Sequence, residues 1–457
     1  MTTVLVILVL ASAGWLLGRR RAFAVAGGKP SSLHSRPGHH AWYAALLAAG
    51  PALALWAVWL LFEPFVLRWS IESSLPPEVL GQSPEMLGFF MSAVRRIASG
   101  LPPTGEVTPA MRRAADYYAT FRAYSRLALT VATAALAIVA LWLALGRIER
   151  DFRARNRVER WVSGLLWLAA AISIATTAGI VFSVLLESLR FFDRYPILDF
   201  LFGLEWSPQT AMRADQVGSS GLFGAVPLFA GTLLITVIAM AVAGPLGMLS
   251  AIYLSYYASH RFRAWAKPVL EVLAGIPTVV YGFFAALTVA PFIREAGGAI
   301  GLGVSSESAL AAGLVMGIMI IPFVSSLADD ALTAVPVSLR DASYGLGATR
   351  AETITQVIVP AALPGIIAGF LLAISRAIGE TMIVVMAAGL AANLTANPLE
   401  AVTTVTVQIV TLLIGDQEFD STKTLSAFAL GLVLFVVTLM LNIVALYVMK
   451  TFREKYD

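Results

Sequence analysis

Long apolar runs, separated by short polar stretches, set the pattern of this chain. Nine of them approach or exceed the roughly 20 residues that a helix needs to cross a bilayer. They lie near 2–17, 41–62, 127–145, 162–186, 226–257, 269–293, 309–328, 362–390 and 425–449. Lipid offers no partner to backbone N–H and C=O groups, so each run is expected to be a helix. A further apolar stretch, 401–414, has 14 residues and carries Thr403, Thr404, Thr406 and Gln408. It is too short and too polar to cross, and reads as an interfacial or re-entrant helix on the outer side. The expected fold is an all-α integral membrane protein.

Lys and Arg accumulate on the cytoplasmic loops of such proteins. The first run has no basic residue before it and is followed by Arg19-Arg20-Arg21, the pattern of an uncleaved anchor with its N-terminus outside. Alternating nine spans from there places 19 Lys and Arg on inner segments and 5 on short outer loops. The C-terminus is then inside. Tail residues Lys450, Arg453 and Lys455 and the polar stretch 341–360 share that side.

Composition agrees. Hydrophobic residues make up 58% of the chain and charged residues 13%, and the mean hydropathy is +0.80. A soluble domain carries about 25% charged residues. A net charge of +4 could suggest nucleic acid, but inner-loop positive charge and contact with anionic lipid account for it. There is no Cys, which excludes disulfides and thiolate metal sites. The four His (His34, His39, His40, His260) have no acidic cluster beside them, so no metal site is expected. No phosphate-binding Gly-x-x-x-x-Gly-Lys-[Ser/Thr] loop occurs, so the chain is not expected to be an enzyme.

The chain divides near residue 158. Residues 1–158 hold three spans and a long outer loop, 63–126, made turn-rich by Pro76-Pro77, Pro84, Pro102-Pro103 and Pro109. Residues 106–126 could form a helix leading into the third span. The Arg-rich linker 147–160 reads as a helix at the membrane surface. Residues 159–457 hold six spans and every motif discussed below.

The most informative motif is the stretch 341–360, bracketed by Pro336 and Pro360. Residues 337–346 and 349–357 have helical composition, and Gly345 and Gly347 lie between them. Glycine permits the left-handed backbone of a tight helix-to-helix turn, so a short helical hairpin is expected. A second motif is Ser375-Arg376-Ala377-Ile378-Gly379-Glu380-Thr381-Met382, within the run 362–390. A charge at the bilayer centre costs roughly 2.5–3.5 kcal/mol on insertion scales. Arg376 and Glu380, at i and i+4 of one helix, would share a face and could pair. That pair either only neutralises itself or lines a path for an anion, for which the planar Arg fork is suited. Two Gly/Pro motifs, 224–232 and 275–282, begin the fifth and sixth spans and read as packing kinks.

Together these residues resemble a known family. Asp341-Ala342-Ser343, Gly347 and Val357-Ile358-Val359-Pro360 resemble the EAA loop of ABC importers. Gly-Ala-Val-Pro at 224–227, Gly-Ile-Pro-Thr-Val-Val-Tyr-Gly at 275–282 and Arg-Ala-Ile-Gly-Glu-Thr-Met at 376–382 resemble the PstC-type permeases of phosphate-specific ABC importers. The resemblance covers about two thirds of the chain. It departs at Asp341 (Glu is usual) and Ser343 (Ala is usual), and the first 158 residues lie outside it.

The resemblance implies a six-span type I permease core with about three extra N-terminal transmembrane helices. It implies ATPase coupling through Asp341, Ala342, Ser343, Gly347 and Pro360, and a substrate path or gate at Arg376, Glu380, Thr381 and Ser375. Implied partners are a second, PstA-like permease, two copies of a PstB-like cytoplasmic ATPase that bind the ATP and Mg, a PstS-like extracytoplasmic phosphate-binding protein, inorganic phosphate and membrane lipid. No cofactor is expected in this chain. The location would be the bacterial cytoplasmic (inner) membrane. Alternatives are a permease for another oxyanion such as molybdate or sulfate, and the paralogous PstA-type permease. An ion-driven secondary carrier would need neither ATPase nor docking loop. A role in reporting phosphate status could accompany transport.

Overall fold

A computed structural model of the chain describes all residues except Met1, Gly28, 74–83, 103–106, 209–220, 415–420 and 452–457. Pro76, Pro77, Pro103, Arg453 and Lys455 of the sequence reading lie outside the described residues. Nine helices among those described are long and apolar enough to cross a membrane. The chain is a multi-pass, almost wholly helical membrane protein. It forms two units, Met1–Ala175 and Thr176–Asp457.

In the first unit, α1 (Thr2–Val25), α2 (Pro37–Glu72) and α4 (Pro109–Gly146) pack together, and the short α3 (Pro84–Ala98) lies on α4. The long helix α5 (Ala154–Phe192) leads out of this unit. Much of the expected loop 63–126 is therefore helical. Proline in a first turn wastes no donor, so Pro109 starts α4 far ahead of its apolar run, with the Thr108 hydroxyl accepting from the Met111 N–H. Polar contacts join the apolar helices. Trp59 Nε1 donates to Ser125 Oγ at 2.9 Å, which donates to Glu63 Oε1 at 3.2 Å.

The second unit is built around α11 (Ala309–Thr333), the most buried span. Against it lie α7 (Val226–Ile252), ending in a π-type turn at Tyr253–Tyr257, and α8 (His260–Gly275). Then come α9 (Thr278–Phe284) and α10 (Ala290–Ala299), which with a π-type turn between them make one span. The apolar run 269–293 is thus not one helix. Pro277 removes a backbone donor and disfavours helical backbone at Ile276, so Gly275 ends α8 and the span begins at Thr278. Tyr281 Oη donates at 2.9 Å to the Leu273 carbonyl, which also accepts the Ile276 N–H, and so bridges the break.

Before α7 come the short helix α6 (Ile197–Phe202) and a two-residue antiparallel pair, β1 (Trp206–Ser207) and β2 (Leu222–Phe223), which among the described residues is the departure from an all-helical chain. Their aromatic side chains Phe200, Trp206 and Phe223 form a buried cluster with Phe191 and Leu228.

Candidate functional site

The polar stretch after α11 forms a hairpin. Helix α12 (Val337–Gly345) and the short α13 (Arg350–Thr353) flank a turn at Gly347, which has φ +89°. Gly345, inside α12, has no such strain. Thr349 caps α13 reciprocally with Glu352: the Thr hydroxyl accepts from the Glu352 N–H, and the Glu carboxylate accepts from the Thr349 N–H. The buried hydroxyls of Ser343 and Thr353 lie 2.9 Å apart and tie the two arms. Ile354 and Ile358 root the second arm in an apolar cluster with Ala328, Leu332 and Ala251. The tip is open. Leu346 is 90% exposed, and Asp341, Ala342 and Gly347 are exposed beside it.

A π-type turn at Ile354–Ile358 joins the hairpin to α14 (Val359–Ile378), with Pro360 in its first turn. At 1.5 Å per residue, α14 is a rod of roughly 30 Å. It stops at Ile378, and Met382–Ala387 is a separate short helix, α15. The expected continuous helix over 362–390 is therefore wrong, and so is the i, i+4 pairing of Arg376 with Glu380. No ion pair joins them. Glu380 has a local use instead: its Oε1 accepts the Met382 and Ile383 N–H groups at 3.1 and 3.4 Å. Its backbone carbonyl accepts from Thr406 Oγ1 at 2.8 Å. These bonds satisfy the backbone groups that a helix end leaves unpaired.

Arg376 lies at the last turn of α14, not mid-span, and its side chain is exposed. Its guanidinium sits over the Phe323 ring of α11, 5.6 Å from the centroid. A cation at a helix C-terminus gains about 0.3–1 kcal/mol, and a cation–π contact about 0.5–2. These offset much of the insertion cost without a carboxylate partner. The guanidinium donors stay available to an anion. Ser375 and Thr381 are half-buried on either side of the break.

Of the two readings of 401–414, interfacial or re-entrant, its burial fits the second. Its helix, α16 (Val405–Leu413), buries Val405, Thr406, Val407 and Gln408. Gln408 is fully used: its Oε1 accepts from Trp206 Nε1 at 3.0 Å, and its Nε2 donates to the Leu390 carbonyl at 3.2 Å. A side-chain amide with its partners supplied can be buried, so the polar residues do not hold this helix at the interface. The two Gly/Pro motifs serve neighbouring elements: the first makes room for this segment, the second for α15. A Cβ at Gly231 would lie 2.2 Å from the Thr403 carbonyl oxygen, and Thr232 Oγ1 accepts the Val405 N–H at 3.2 Å. A Cβ at Gly282 would lie 2.7 Å from the Met386 sulfur of α15. The last span, α17 (Thr422–Thr451), closes the chain.

Residues 243–454 match the binding-protein-dependent transport system inner membrane component family. Residues 4–176 match a second family, described as phosphate ATP-binding cassette transporter. YqgH, a probable ABC transporter permease of Bacillus subtilis, is 33% identical over 64% of this chain and 89% of its own length. The phosphate transport system permease PstC of Mesorhizobium japonicum is 30% identical over 62% of this chain and 86% of its own. PstC 1 of Mycobacterium tuberculosis is 30% identical over 63% and 90%. The chain belongs to the family of phosphate ABC-transporter permeases. The N-terminal spans, outside the resemblance read from the sequence, match a family of their own.

In this permease the expected coupling residues Asp341, Ala342, Ser343 and Gly347 come together on one hairpin, with Pro360 in the helix that follows. Ser375, Arg376, Glu380 and Thr381 cluster at the break, at the opposite end of α14. Sequence reading missed Asp329 of α11, a buried carboxylate held by Arg263 and Lys267 of α8. It named Thr406 and Gln408 only as polar residues of 401–414, and Thr232 only within a packing motif, not as hydrogen-bond partners. The available signal was an acid ending an apolar run, and polar residues inside a short apolar one.

Proposed function

We propose that this permease forms the translocation path of an ATP-driven phosphate importer together with a second, PstA-like permease. A PstS-like binding protein delivers phosphate at the outer face, and two PstB-like ATPases holding ATP and Mg close against the hairpin at 337–358. The bias of basic residues supports an N-terminus outside and a C-terminus and hairpin inside a bacterial cytoplasmic membrane. The observation that carries the reading is the single rod α14. It joins an open hairpin at one end to an unneutralised, exposed arginine at the other.

In this reading Arg376 offers its planar fork to the phosphate oxyanion, while Glu380 and Thr381 hold the break open and set its shape. ATP drives the cycle by its differential affinity for two arrangements of the assembly. The test is phosphate uptake into membrane vesicles with and without internal ATP, for the wild type and Arg376→Gln. Uptake should require ATP and be lost in Arg376→Gln with the complex still assembled. ATP-independent uptake would replace this reading with a secondary carrier, and full uptake by Arg376→Gln would remove the arginine from the path.

A further inference from the structure

Asp329 is 5% exposed and sits one turn before the end of α11. A lone carboxylate there would be costly, and it is not alone. Arg263 Nη2 donates to both its oxygens at 3.0 and 3.1 Å, and Lys267 Nζ donates to Oδ2 at 2.9 Å. Ser255 Oγ donates to Oδ1. Arg263 and Lys267 are i and i+4 on α8, so one helix face is clamped to α11.

Ser255 belongs to the π-type turn Tyr253–Tyr257, a kind of turn often found at functional sites. The next two residues of that turn also reach outward. Tyr256 Oη donates to the Leu332 carbonyl of α11 at 2.9 Å. The Tyr257 ring lies 5.6 Å from the Arg350 guanidinium, on the second arm of the hairpin. Three consecutive side chains therefore connect the hairpin, the end of α11 and the ion cluster. Further up α11, six residues before Asp329, Phe323 carries Arg376.

We infer that Asp329, with Arg263 and Lys267, is a positioning strut that carries hairpin movement into α8 and α11 and so to the Arg376 end of the path. The strut stays closed through the cycle; it works by stiffness. This inference rests on the reading of 337–358 as the ATPase-docking hairpin. It assigns to α8 a role that neither the sequence motifs nor the relatives supply. Glu271, on the same face of α8, lines the adjoining groove with Lys267 and Arg263 and keeps the cluster close to neutral, so the groove is not read as an anion site.

The experiment uses the full complex of both permeases, the ATPases and the binding protein in proteoliposomes. It measures ATP hydrolysed and radiolabelled inorganic phosphate moved. Asp329→Asn should keep ATP hydrolysis within about twofold of wild type. Phosphate moved per ATP should fall about tenfold or more, an ordinary size for coupling between sites. The double variant Arg263→Gln/Lys267→Gln should do the same. If transport and hydrolysis instead fall together, in step with the amount of assembled complex, the residue is merely structural and the strut is refuted.

Should Asp329→Asn fail to assemble, a second variant decides. The chain has no cysteine, and Leu270 of α8 and Ser326 of α11 line one small cavity beside Asp329. Leu270→Cys/Ser326→Cys keeps Asp329, Arg263 and Lys267, and can be bridged by a short bifunctional thiol reagent. Uptake per ATP should survive bridging. A block would mean that α8 and α11 must separate, which overturns the strut. No ATP-driven uptake by the wild-type complex would bring down the transport reading itself, and this inference with it.

Discussion

Gly345 and Gly347 look equivalent in the sequence, and the structure separates them. Gly347 has φ +89° and open space around the position of a Cβ. Gly345 has the same open space but lies inside α12 with ordinary helical backbone. Alanine at 347 therefore meets no clash and incurs only the left-handed backbone cost, about 1–2 kcal/mol. Alanine at 345 incurs none and gains helix propensity, up to about 1 kcal/mol. If the docked ATPase needs the hairpin turn as built, Gly347→Ala should weaken its binding by the corresponding factor, about 5–30-fold. Gly345→Ala should bind as well as wild type or slightly better. The assay is titration of the purified ATPase onto the permease pair in nanodiscs. Equal affinities for the two variants would refute the argument, because a contrast in φ is the whole of the difference between the sites.

Three other outcomes follow from named contacts. Gly231→Ala places a methyl against the Thr403 carbonyl, 2.2 Å away before relaxation, and overpacking of this kind costs about 1–3 kcal/mol. The thermal midpoint of the purified complex should drop, and an unchanged midpoint would show that the re-entrant segment is not seated there. Phe323→Leu removes the ring under Arg376, worth about 0.5–2 kcal/mol. Uptake should persist with a raised half-saturating phosphate concentration, whereas an unchanged value would mean the ring does not hold the arginine. Gln408→Leu strips partners from Trp206 Nε1 and the Leu390 carbonyl, a loss of about 1–3 kcal/mol, readable in the same thermal assay. Wild-type stability there would count against a buried re-entrant helix.

Local chemistry was legible in the sequence, and chemistry across long separations was not. The hairpin could be read because its determinants are neighbours: Gly347 for the turn, Thr349 and Glu352 for the cap, Pro360 in the first turn of the helix that follows. The spans could be read because lipid selects long apolar runs. The break after Ile378 could not, since Met382–Ala387 is as apolar as α14 itself and periodicity runs on through it. What ends α14 there is Thr406, 26 residues away, holding the Glu380 carbonyl, together with the Glu380 carboxylate turning back on its own chain. The burial of 401–414 likewise depends on Trp206, 202 residues from Gln408. Asp329 is satisfied by Ser255 and Arg263, 74 and 66 residues away, and nothing local to it announces them.

The claim on which the rest depends is that the hairpin faces the cytoplasm and seats an ATPase. Leu346, 90% exposed at its tip, reports on both. In a chain with no native cysteine, Leu346→Cys should react with a membrane-impermeant maleimide in inside-out vesicles and stay unlabelled in right-side-out ones. Added ATPase should then shield it. Labelling from the outer face, or reactivity unaltered by the ATPase, would contradict the account.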